Sequence, residues 1–406
     1  MNKKSQIDAY DVVIVGAGMV GATLACALGD RALRVAVIEA RQPALEWPKD
    51  SVDLRVSAIT AASQKVFSSL KAWQMMTQRG VSPFREMHVW DATGPGSIHF
   101  NSEDIGTSEL GHIIENRVIQ AAMVKQMETF DTVDLLCPVK LEAINYREKN
   151  ATIELENHGE ISARLVVGAD GGQSKVRQLA GIKTKGWPYH QKAVVTMVET
   201  EQSHRETAWQ RFMPTGPLAF LPLRDGKSSI VWSTTHDEAD ELLAVAEVEF
   251  CSRLGSALDH KLGRILECGQ RAAFPLKLQH TLAYVDHRLA LIGDAAHTIH
   301  PLAGQGVNLG LLDAASLAEV ILNAVEQGKD FGRLPVLRRY ERWRKGDNLM
   351  MMAAMDGFKR LFGSPYAPVR WARNMGLSMT NAATPVKNHM IKHAMGMRGD
   401  LPRLAS

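Results

Sequence analysis

The amino-terminal part of the chain carries a strand–turn–helix–strand pattern that restricts the fold more than any other feature. It begins with a β-branched run, Tyr10–Val15, and three glycines with the spacing G-x-G-x-x-G come next, at Gly16, Gly18 and Gly21. A stretch with helical spacing and a second apolar run follow, and that run ends in Glu39. The order is typical of a βαβ unit that binds a dinucleotide, because glycines allow a tight turn and close approach of a pyrophosphate.

The acidic residue at the end of the second run indicates which nucleotide binds. A carboxylate about 20 residues after the glycines accepts hydrogen bonds from ribose hydroxyls. Glu39 would repel a 2′-phosphate, so the pattern favours the adenosine of FAD or NAD over that of NADP.

Two further apolar strands end in an aspartate beside glycine. Ala163–Val167 runs into Gly168-Ala-Asp170-Gly171, and Arg288–Ile292 runs into Gly293-Asp294. A carboxylate at the carboxyl end of a buried strand lies where a ligand can approach the backbone closely. For the first of these strands, an ordinary strand-to-helix turn capped by Ser174 is the alternative.

The segment after Asp294 predicts a turn and then a helix. Pro301 and the turn Gly304-Gln305-Gly306 precede a helix that starts near Val307 and Asn308. Backbone N–H groups at a helix start carry partial positive charge, so this edge would face an electron-rich group.

Two polar side chains between these motifs are further candidates. Arg55 lies before a predicted helix and would contact either a phosphate or a surface carboxylate. Glu115–Met127 predicts an amphipathic helix whose first turn, at Asn116, would touch a cofactor.

The pattern between the second and third motifs changes to short strands separated by turns. Residues 187–235 predict an inserted antiparallel sheet, and the hairpin around Gly94-Pro-Gly96 predicts another part of it. Four aromatic residues there would either wall a substrate pocket or belong to the core: Trp187, Tyr189, Phe220 and Trp232.

Bulk properties exclude several classes of protein. The formal net charge of +3 is too small to indicate nucleic-acid binding, and 45% hydrophobic with 22% charged residues is ordinary for a soluble globular chain. No uncharged stretch reaches the roughly 18 apolar residues that span a bilayer. Cys26, Cys137, Cys251 and Cys268 are widely spaced. They favour a reducing cytoplasm and predict no metal site or disulfide framework.

The carboxyl-terminal region combines basic with apolar side chains. Between residues 336 and 398, only Glu341, Asp347 and Asp356 oppose twelve basic residues, which are Arg338, Arg339, Arg342, Arg344, Lys345, Lys359, Arg360, Arg370, Arg373, Lys387, Lys392 and Arg398. The pattern fits a surface that meets a membrane or a partner, and it equally fits a helical closing region with solvated charges.

With all three motifs present in order, the chain resembles the flavoprotein aromatic hydroxylases of the p-hydroxybenzoate hydroxylase type. Within them, Asp53–Ile59, Gly168–Gly171, Ala219–Leu223 and especially Gly293–Gly310 resemble the ubiquinone-biosynthesis hydroxylases. The resemblance covers about Tyr10 to Met397. It implies an α/β composite fold with a Rossmann-like FAD-binding domain, an inserted antiparallel sheet for the substrate and a helical carboxyl-terminal region.

The resemblance also implies domain limits. The FAD-binding domain would comprise residues 1–75, 101–185 and 275–335, the substrate domain 76–100 and 186–274, and the helical region 336–406.

Residue roles follow from the resemblance position by position. The first glycines and Glu39 would bind the ADP half of FAD, Arg55 would lie near the pyrophosphate, and Asp294 would bind the ribityl chain. Asp170 is associated with both FAD and the nicotinamide donor. Relatives often carry Arg or Gln where this chain has Asn116, with Arg117 beside it. His297 and His300 are more easily explained as structural residues near the turn than as catalytic bases.

The implied reaction is hydroxylation of a polyprenylated phenol or benzoquinol in ubiquinone biosynthesis. NADH or NADPH would reduce FAD, and O2 would add to the reduced flavin as a C4a-hydroperoxide that donates oxygen to the ring. The related hydroxylases act at different ring carbons, and the local motifs do not separate them. The leading candidate for the substrate is 2-polyprenylphenol, while Thr207–Pro217 also resembles the hydroxylase of 2-polyprenyl-3-methyl-6-methoxy-1,4-benzoquinol.

Two rivals share the fold: a flavin reductase or dehydrogenase of isoprenoid substrates, and an FAD-stabilised scaffold subunit of a biosynthetic complex. The expected location is cytoplasmic, peripheral to the inner membrane, and a homo-oligomer is compatible with the pattern.

Overall fold

The computed structural model describes residues 8–29, 31–48, 51, 53–299, 305–397 and 399–406. Within them the chain forms strands β1 to β20, which are Asp8–Val15, Val35–Ile38, Val56–Ile59, Ser82–Phe84, Glu86–Asp91, Ser97–Asn101, Gly111–Glu115, Val133–Leu136, Leu141–Tyr146, Ala151–Leu155, Gly159–Gly168, Thr184–Thr200, Thr207–Met213, Gly216–Pro222, Ser228–Thr235, Ile265–Cys268, Ala272–Thr281, Val285–Asp286, Leu289–Leu291 and His297–Thr298.

The same residues form helices α1 to α11, which are Met19–Gly29, Ala61–Ser69, Trp73–Arg79, Asn116–Met127, Lys175–Leu179, His236–Ala244, Glu247–Ala257, Gln305–Glu326, Leu334–Gly363, Ala367–Ala382 and Thr384–Ala394. Short 3-10 turns occupy Ser102–Ile105, Gly293–Ala295 and Arg403–Ala405.

The first sheet has the order β18-β19-β11-β1-β2-β8, with β10 and β9 added beside β11. Strands β19, β11, β1, β2 and β8 are parallel, as the buried apolar runs at Val12–Val15 and Val35–Ile38 require. Helices α1, α4 and α8 contribute buried residues to the same core. The carboxyl ends of β1, β2, β11 and β19 therefore lie at one edge, which is where ligands bind in such sheets.

The second sheet is the inserted one and has the order β20-β17-β12-β15-β14-β13-β5-β6, with β16 beside β12. Its β5–β6 hairpin is antiparallel, as the sequence predicts. A third, small sheet has the order β3-β7-β4. The composite α/β architecture predicted from the sequence is confirmed, while the domain limits stay a prediction.

Two separate helices follow β15, because α6 ends at Ala244 and α7 begins at Glu247. Chain residues 265–268 then form β16. Thr235 caps α6 through a hydrogen bond from the Glu238 N–H, a local signal that precedes the helix.

Helix α8 is long and apolar enough to cross a membrane by composition, over Gly306–Glu326. However, 72% of its most apolar window is buried inside the protein. Its apolar character is explained by packing against α1 and the first sheet.

Asparagines spaced seven residues apart attach the carboxyl-terminal helices to the inserted sheet. Asn374 Oδ1 accepts a hydrogen bond from Gly96 N at 2.7 Å, and Asn381 Oδ1 accepts one from His99 N at 3.0 Å. Asn388 Nδ2 donates to Asp104 O at 2.8 Å. These bonds satisfy backbone groups along and beyond the edge strand β6, which would otherwise be open to pairing with another chain.

A buried ion pair reinforces this attachment. Arg373 Nε lies 2.6 Å from Asp91 Oδ2, and both side chains are 1% exposed. Arg373 also donates to the backbone oxygens of Leu361 and Phe362, at the end of α9. The pair therefore joins α9, α10 and the β5–β6 hairpin.

We expect Arg373→Met to lower the free energy of unfolding by about 3 to 5 kcal/mol, because it leaves a buried carboxylate without its partner. Burial alone would raise the pKa of Asp91, but hydrogen bonds from Arg373 and Thr93 hold it below its ordinary 3.8. The stabilisation is therefore fully present above pH 3.8 and is lost as the pH falls through the lower folded-state pKa.

Urea denaturation of the wild type and of Arg373→Met between pH 3 and pH 7 measures the difference in their free energies of unfolding. Arg360→Met is the control, since its pair with Asp356 involves an Arg360 side chain that is 70% exposed. Such exposed pairs contribute roughly 1 kcal/mol or less. Equal losses for the two variants would contradict the assignment.

Candidate active site

The glycine turn after β1 shows three different reasons for glycine. Gly16 has φ +108°, and a Cβ there would lie 2.5 Å from Ala169 O. At Gly21 a Cβ would lie 1.9 Å from Gly16 O, so this glycine lets α1 pack against the turn. At Gly18 no protein atom lies within 4 Å of the added Cβ. Gly18 therefore leaves space for a ligand rather than for the protein.

Glu39 lies at the end of β2 and holds the same turn. Its Oε2 accepts a hydrogen bond from Ala17 N at 2.8 Å, and its Oε1 accepts one from Arg41 N at 3.0 Å. Gln120 Nε2 donates to Ala17 O at 3.1 Å. Sequence reasoning missed Gln120, although its position four residues after Asn116 places both on one face of α4.

A cavity of about 1110 Å³ opens beside this turn and extends between the first and second sheets. That volume is slightly above the roughly 300–1,000 Å³ typical of small-molecule and cofactor sites. Nine of the residues expected at the cofactor site line it: Gly16, Gly18, Glu39, Arg55, Asn116, Asp170, Asp294, Gly306 and Val307.

Other expected residues have packing roles. Gly293 has φ +58°, and a Cβ there would lie 3.3 Å from the Val20 side chain. Asn308 is buried, donates to Ala58 O at 2.7 Å and accepts from Thr60 N at 3.1 Å. With Gly21, these residues support the site without lining the cavity.

The flavin-edge turn is described only in part. Gln305 is the first residue of α8, and Gly306 and Val307 reach the cavity. Pro301 and Gly304 lie outside the described residues, as does His300.

Asp294 is exposed, but into the cavity. Desolvation by the surrounding protein holds the pKa of its carboxyl above the ordinary value. Coulombic attraction from His297, Arg55 and Lys277 opposes that shift. Hydrogen-bond donors on a ligand would stabilise a carboxylate in such a place.

Asp170 has one oxygen engaged and one available. Its Oδ2 accepts from Lys175 N at 2.6 Å and from Val176 N at 3.1 Å, at the start of α5. Its Oδ1 is buried and has no hydrogen-bond partner among the described residues. An unsatisfied buried carboxylate oxygen beside a cavity indicates a missing donor.

Asn116 and Arg117, the two polar residues in the first turn of α4, have different surroundings. Asn116 lines the cavity and accepts a hydrogen bond from Ser57 Oγ at 2.6 Å. Arg117 instead pairs with Glu115 at 2.7 Å and stacks 4.6 Å from the Trp47 ring. Arg55 lines the cavity, with its guanidinium carbon 5.8 Å from the Phe274 ring centre.

The expected aromatic wall does not form. Phe220 and Trp232 are buried with α6 and α7 on the far face of the second sheet. Tyr189 is buried beside Met352 of α9, and Trp187 is 45% exposed with Arg360 over its ring. None of the four lines the cavity. Side chains alternate between the two faces of a strand, and periodicity alone did not identify the face that meets the cavity.

Other apolar residues, most of them aliphatic, occupy the cavity face instead. They are Ala193, Val195, Val231, Phe274 and Leu276, with Ile299 from the segment after Asp294. Their neighbours Trp232 and Val194 point the other way, as the strand period requires. This end of the cavity suits an apolar ring.

The residues present fit FAD. Open space at Gly18, the carboxylates of Glu39 and Asp294, and the start of α8 match an adenine dinucleotide joined to a polyhydroxyl chain and an electron-rich ring.

Comparison with known proteins agrees with this geometry. Residues 9–346 match the family model described as "FAD binding domain". The 3-demethoxyubiquinol 3-hydroxylase of Escherichia coli K12 is 37% identical over 387 residues, which cover 95% of this chain and 98% of that protein. The ubiquinone hydroxylase UbiL of Rhodospirillum rubrum is 38% identical, covering 95% and 89%.

The mitochondrial ubiquinone biosynthesis monooxygenase COQ6 of Xenopus tropicalis is 38% identical, covering 95% of this chain and 93% of its own. Among solved structures, p-nitrophenol 4-monooxygenase PnpA from Pseudomonas putida DLL-E4 superposes with a TM-score of 0.79 at 19% identity, covering 97% and 99%. The structural likeness shows a common fold, and the sequence matches show the family. The chain therefore belongs to the FAD-binding domain family, in the group with the ubiquinone-biosynthesis hydroxylases, and is an FAD-dependent monooxygenase.

Proposed function

We propose that this protein hydroxylates the ring of a polyprenylated phenol or benzoquinol in ubiquinone biosynthesis, with O2 and with NADH or NADPH as electron donor. The observation that carries the proposal is the shared cavity. Its one end is lined by Gly18, Glu39 and Asp294, and its other end by the apolar face of the second sheet. A flavin and an apolar ring can therefore lie in one cavity.

Each part of the cavity has a physical task in this proposal. Bound FAD supplies electron storage and the activation of O2. Glu39 and Gly18 hold the ADP half, Asp294 the ribityl chain, and Asp170 presents a carboxylate oxygen to a donor on FAD or on the nicotinamide nucleotide. The start of α8, at Gly306 and Val307, directs partial positive charge at the electron-rich edge of the ring system. The apolar face excludes water from the ring that reacts.

The favoured substrate is 2-polyprenylphenol. A second candidate, 2-polyprenyl-3-methyl-6-methoxy-1,4-benzoquinol, is supported by the relative named 3-demethoxyubiquinol 3-hydroxylase, which the chain covers over 98% of its length. The three named relatives match at nearly equal identity, 37% to 38%.

A deletion strain distinguishes these substrates. Mass spectrometry of its quinone intermediates is expected to show a polyprenylated ring that lacks one oxygen, and the bare carbon names the substrate. Normal ubiquinone content without an accumulated intermediate would contradict the proposed pathway.

We also propose that the carboxyl-terminal helices meet a membrane surface at which a polyprenylated substrate is delivered. The structure corrects the count of surface charges, because Arg344, Arg373 and Lys387 are buried and ion-paired. Exposed apolar side chains support the proposal: Tyr366 is 72%, Trp371 66% and Met379 64% exposed. Arg370 lies on α10 with Trp371 and Met379, and Tyr366 directly precedes that helix. Basic and exposed apolar side chains together are typical of peripheral membrane binding.

Replacing Tyr366, Trp371 and Met379 together with serine should remove the apolar contact and abolish co-sedimentation with anionic phospholipid vesicles. The control replaces Val248 and Leu266, which are 82% and 53% exposed on the inserted domain, and should sediment like the wild type. Vesicle binding that survives the triple change would contradict this surface. A wild-type protein that does not co-sediment with vesicles but binds an enzyme of the pathway would assign the surface to a protein complex instead.

A further inference from the structure

A buried carboxylate lies behind the cavity and collects four hydrogen-bond donors. Asp313 of α8 is 0% exposed. Its Oδ2 accepts from Gly293 N at 3.2 Å and lies 2.5 Å from His297 Nε2. Its Oδ1 accepts from Arg344 Nε at 3.0 Å and from Asn348 Nδ2 at 3.1 Å. The four donors come from two distant parts of the chain.

Two of the donors flank Asp294. Gly293 precedes it and His297 follows it by three residues, so Asp313 fixes both ends of the turn that presents Asp294 to the cavity. The other two donors belong to α9, where Arg344 Nη2 also donates to Asn348 Oδ1 at 3.1 Å. Tyr340 of α9 adds a hydrogen bond to Leu291 O at 2.8 Å, on the strand before the turn.

The charge on Asp313 depends on these partners. Burial would raise its pKa, but His297 and Arg344 hold it well below the ordinary value. Without Arg344, the carboxylate would be left with less compensation in a fully buried place, and it would protonate or change its contacts. Either change alters the hydrogen bonds to Gly293 and His297, and therefore the position of Asp294.

We propose that Arg344 is a positioning residue for FAD binding, although it lies on α9 and does not line the cavity. It holds Asp313, which holds the turn Gly293–His297, which presents Asp294. The carboxyl-terminal region thus affects FAD binding through the position of Asp294. The inference rests on FAD binding by the proposed site and does not depend on which ring is hydroxylated.

The test compares two buried Arg–Asp pairs in the same region. Arg344→Met breaks the pair with Asp313, and Arg373→Met breaks the pair with Asp91, in which both side chains are 1% exposed. FAD affinity of the apoprotein is measured by fluorescence titration, and the melting temperature by differential scanning fluorimetry. Both variants should have a lower melting temperature than the wild type, because both leave a buried carboxylate unpaired.

Only Arg344→Met should also weaken FAD binding, by about tenfold to a hundredfold, as expected when a ligand-binding group is displaced by a fraction of an ångström. Arg344→Lys keeps the charge but loses the fork that reaches both Asp313 and Asn348, so its FAD affinity should fall by about tenfold with a smaller loss of melting temperature.

Unchanged FAD affinity in Arg344→Met, or an affinity loss equal to that of Arg373→Met, would reduce Arg344 to a structural residue and overturn the inference. If Arg344→Met does not fold, Arg344→Lys decides in the same way. A wild-type protein that does not bind FAD would overturn the proposed function itself, and the inference with it.

Discussion

Asp294→Ala is expected to release FAD from the protein. The side chain is exposed into the cavity, at the carboxyl end of a parallel strand, and hydrogen bonds to a charged group contribute about 1.5–3 kcal/mol each. Losing two such bonds would raise the FAD dissociation constant by more than about a hundredfold. Flavin absorbance that travels with the protein through gel filtration measures the effect.

Asp286→Ala is the matched control, because Asp286 is an exposed aspartate on a strand of the same sheet and does not line the cavity. It should keep its flavin. Full flavin absorbance in Asp294→Ala after gel filtration would remove Asp294 from the cofactor site.

Gly18→Ala is expected to separate folding from cofactor binding. The added Cβ meets no protein atom within 4 Å, so the apoprotein should fold with a nearly unchanged melting temperature. The methyl group would occupy space needed by a closely approaching pyrophosphate, and FAD affinity should fall by about a hundredfold or more. Fluorimetry of the apoprotein and FAD titration give the two quantities.

Alanine variants of two other glycines serve as controls. Gly346→Ala also adds a Cβ in open space, within α9 and away from the cavity, and should bind FAD normally. Gly21→Ala places its Cβ 1.9 Å from Gly16 O and should damage folding itself. A Gly18→Ala protein that binds FAD like the wild type would show that no pyrophosphate approaches this turn.

The sequence could predict which carboxylates line the cavity because chemistry and strand polarity coincide there. Glu39, Asp170 and Asp294 each follow a buried apolar strand, and the carboxyl ends of parallel strands share one edge of a sheet. Residues from positions 16 to 307 thus gather around one cavity without any knowledge of their packing.

The substrate side could not be predicted in the same way. Trp232 and Val231 are adjacent in one strand, yet only Val231 faces the cavity, while Trp232 packs against helices. The period of a strand separates the two faces but does not say which face receives a helix. The apolar residues at the cavity are mostly aliphatic, with Phe274 as the one aromatic ring among those named above, and the size of a side chain does not identify them in the sequence.

The carboxyl-terminal region shows a second limit. Arg344 and Arg373 look like any other basic residues of a charged helix, but each is buried against an aspartate distant in sequence. Asp313 lies 31 positions and Asp91 lies 282 positions away. The tertiary fold brings such pairs together, and no local sequence pattern predicts them.

The central claim is most directly tested by a single-turnover experiment with the purified holoprotein. The bound FAD is reduced anaerobically with NADPH or NADH, a 2-polyprenylphenol is added, and the sample is then exposed to ¹⁸O2. We expect reoxidation of the flavin together with a ring-hydroxylated product that carries one ¹⁸O atom. Reduction of the substrate without oxygen incorporation would identify a reductase, and a flavin that neither reduces nor reacts would identify a scaffold subunit; either result would contradict the assignment as a ring hydroxylase.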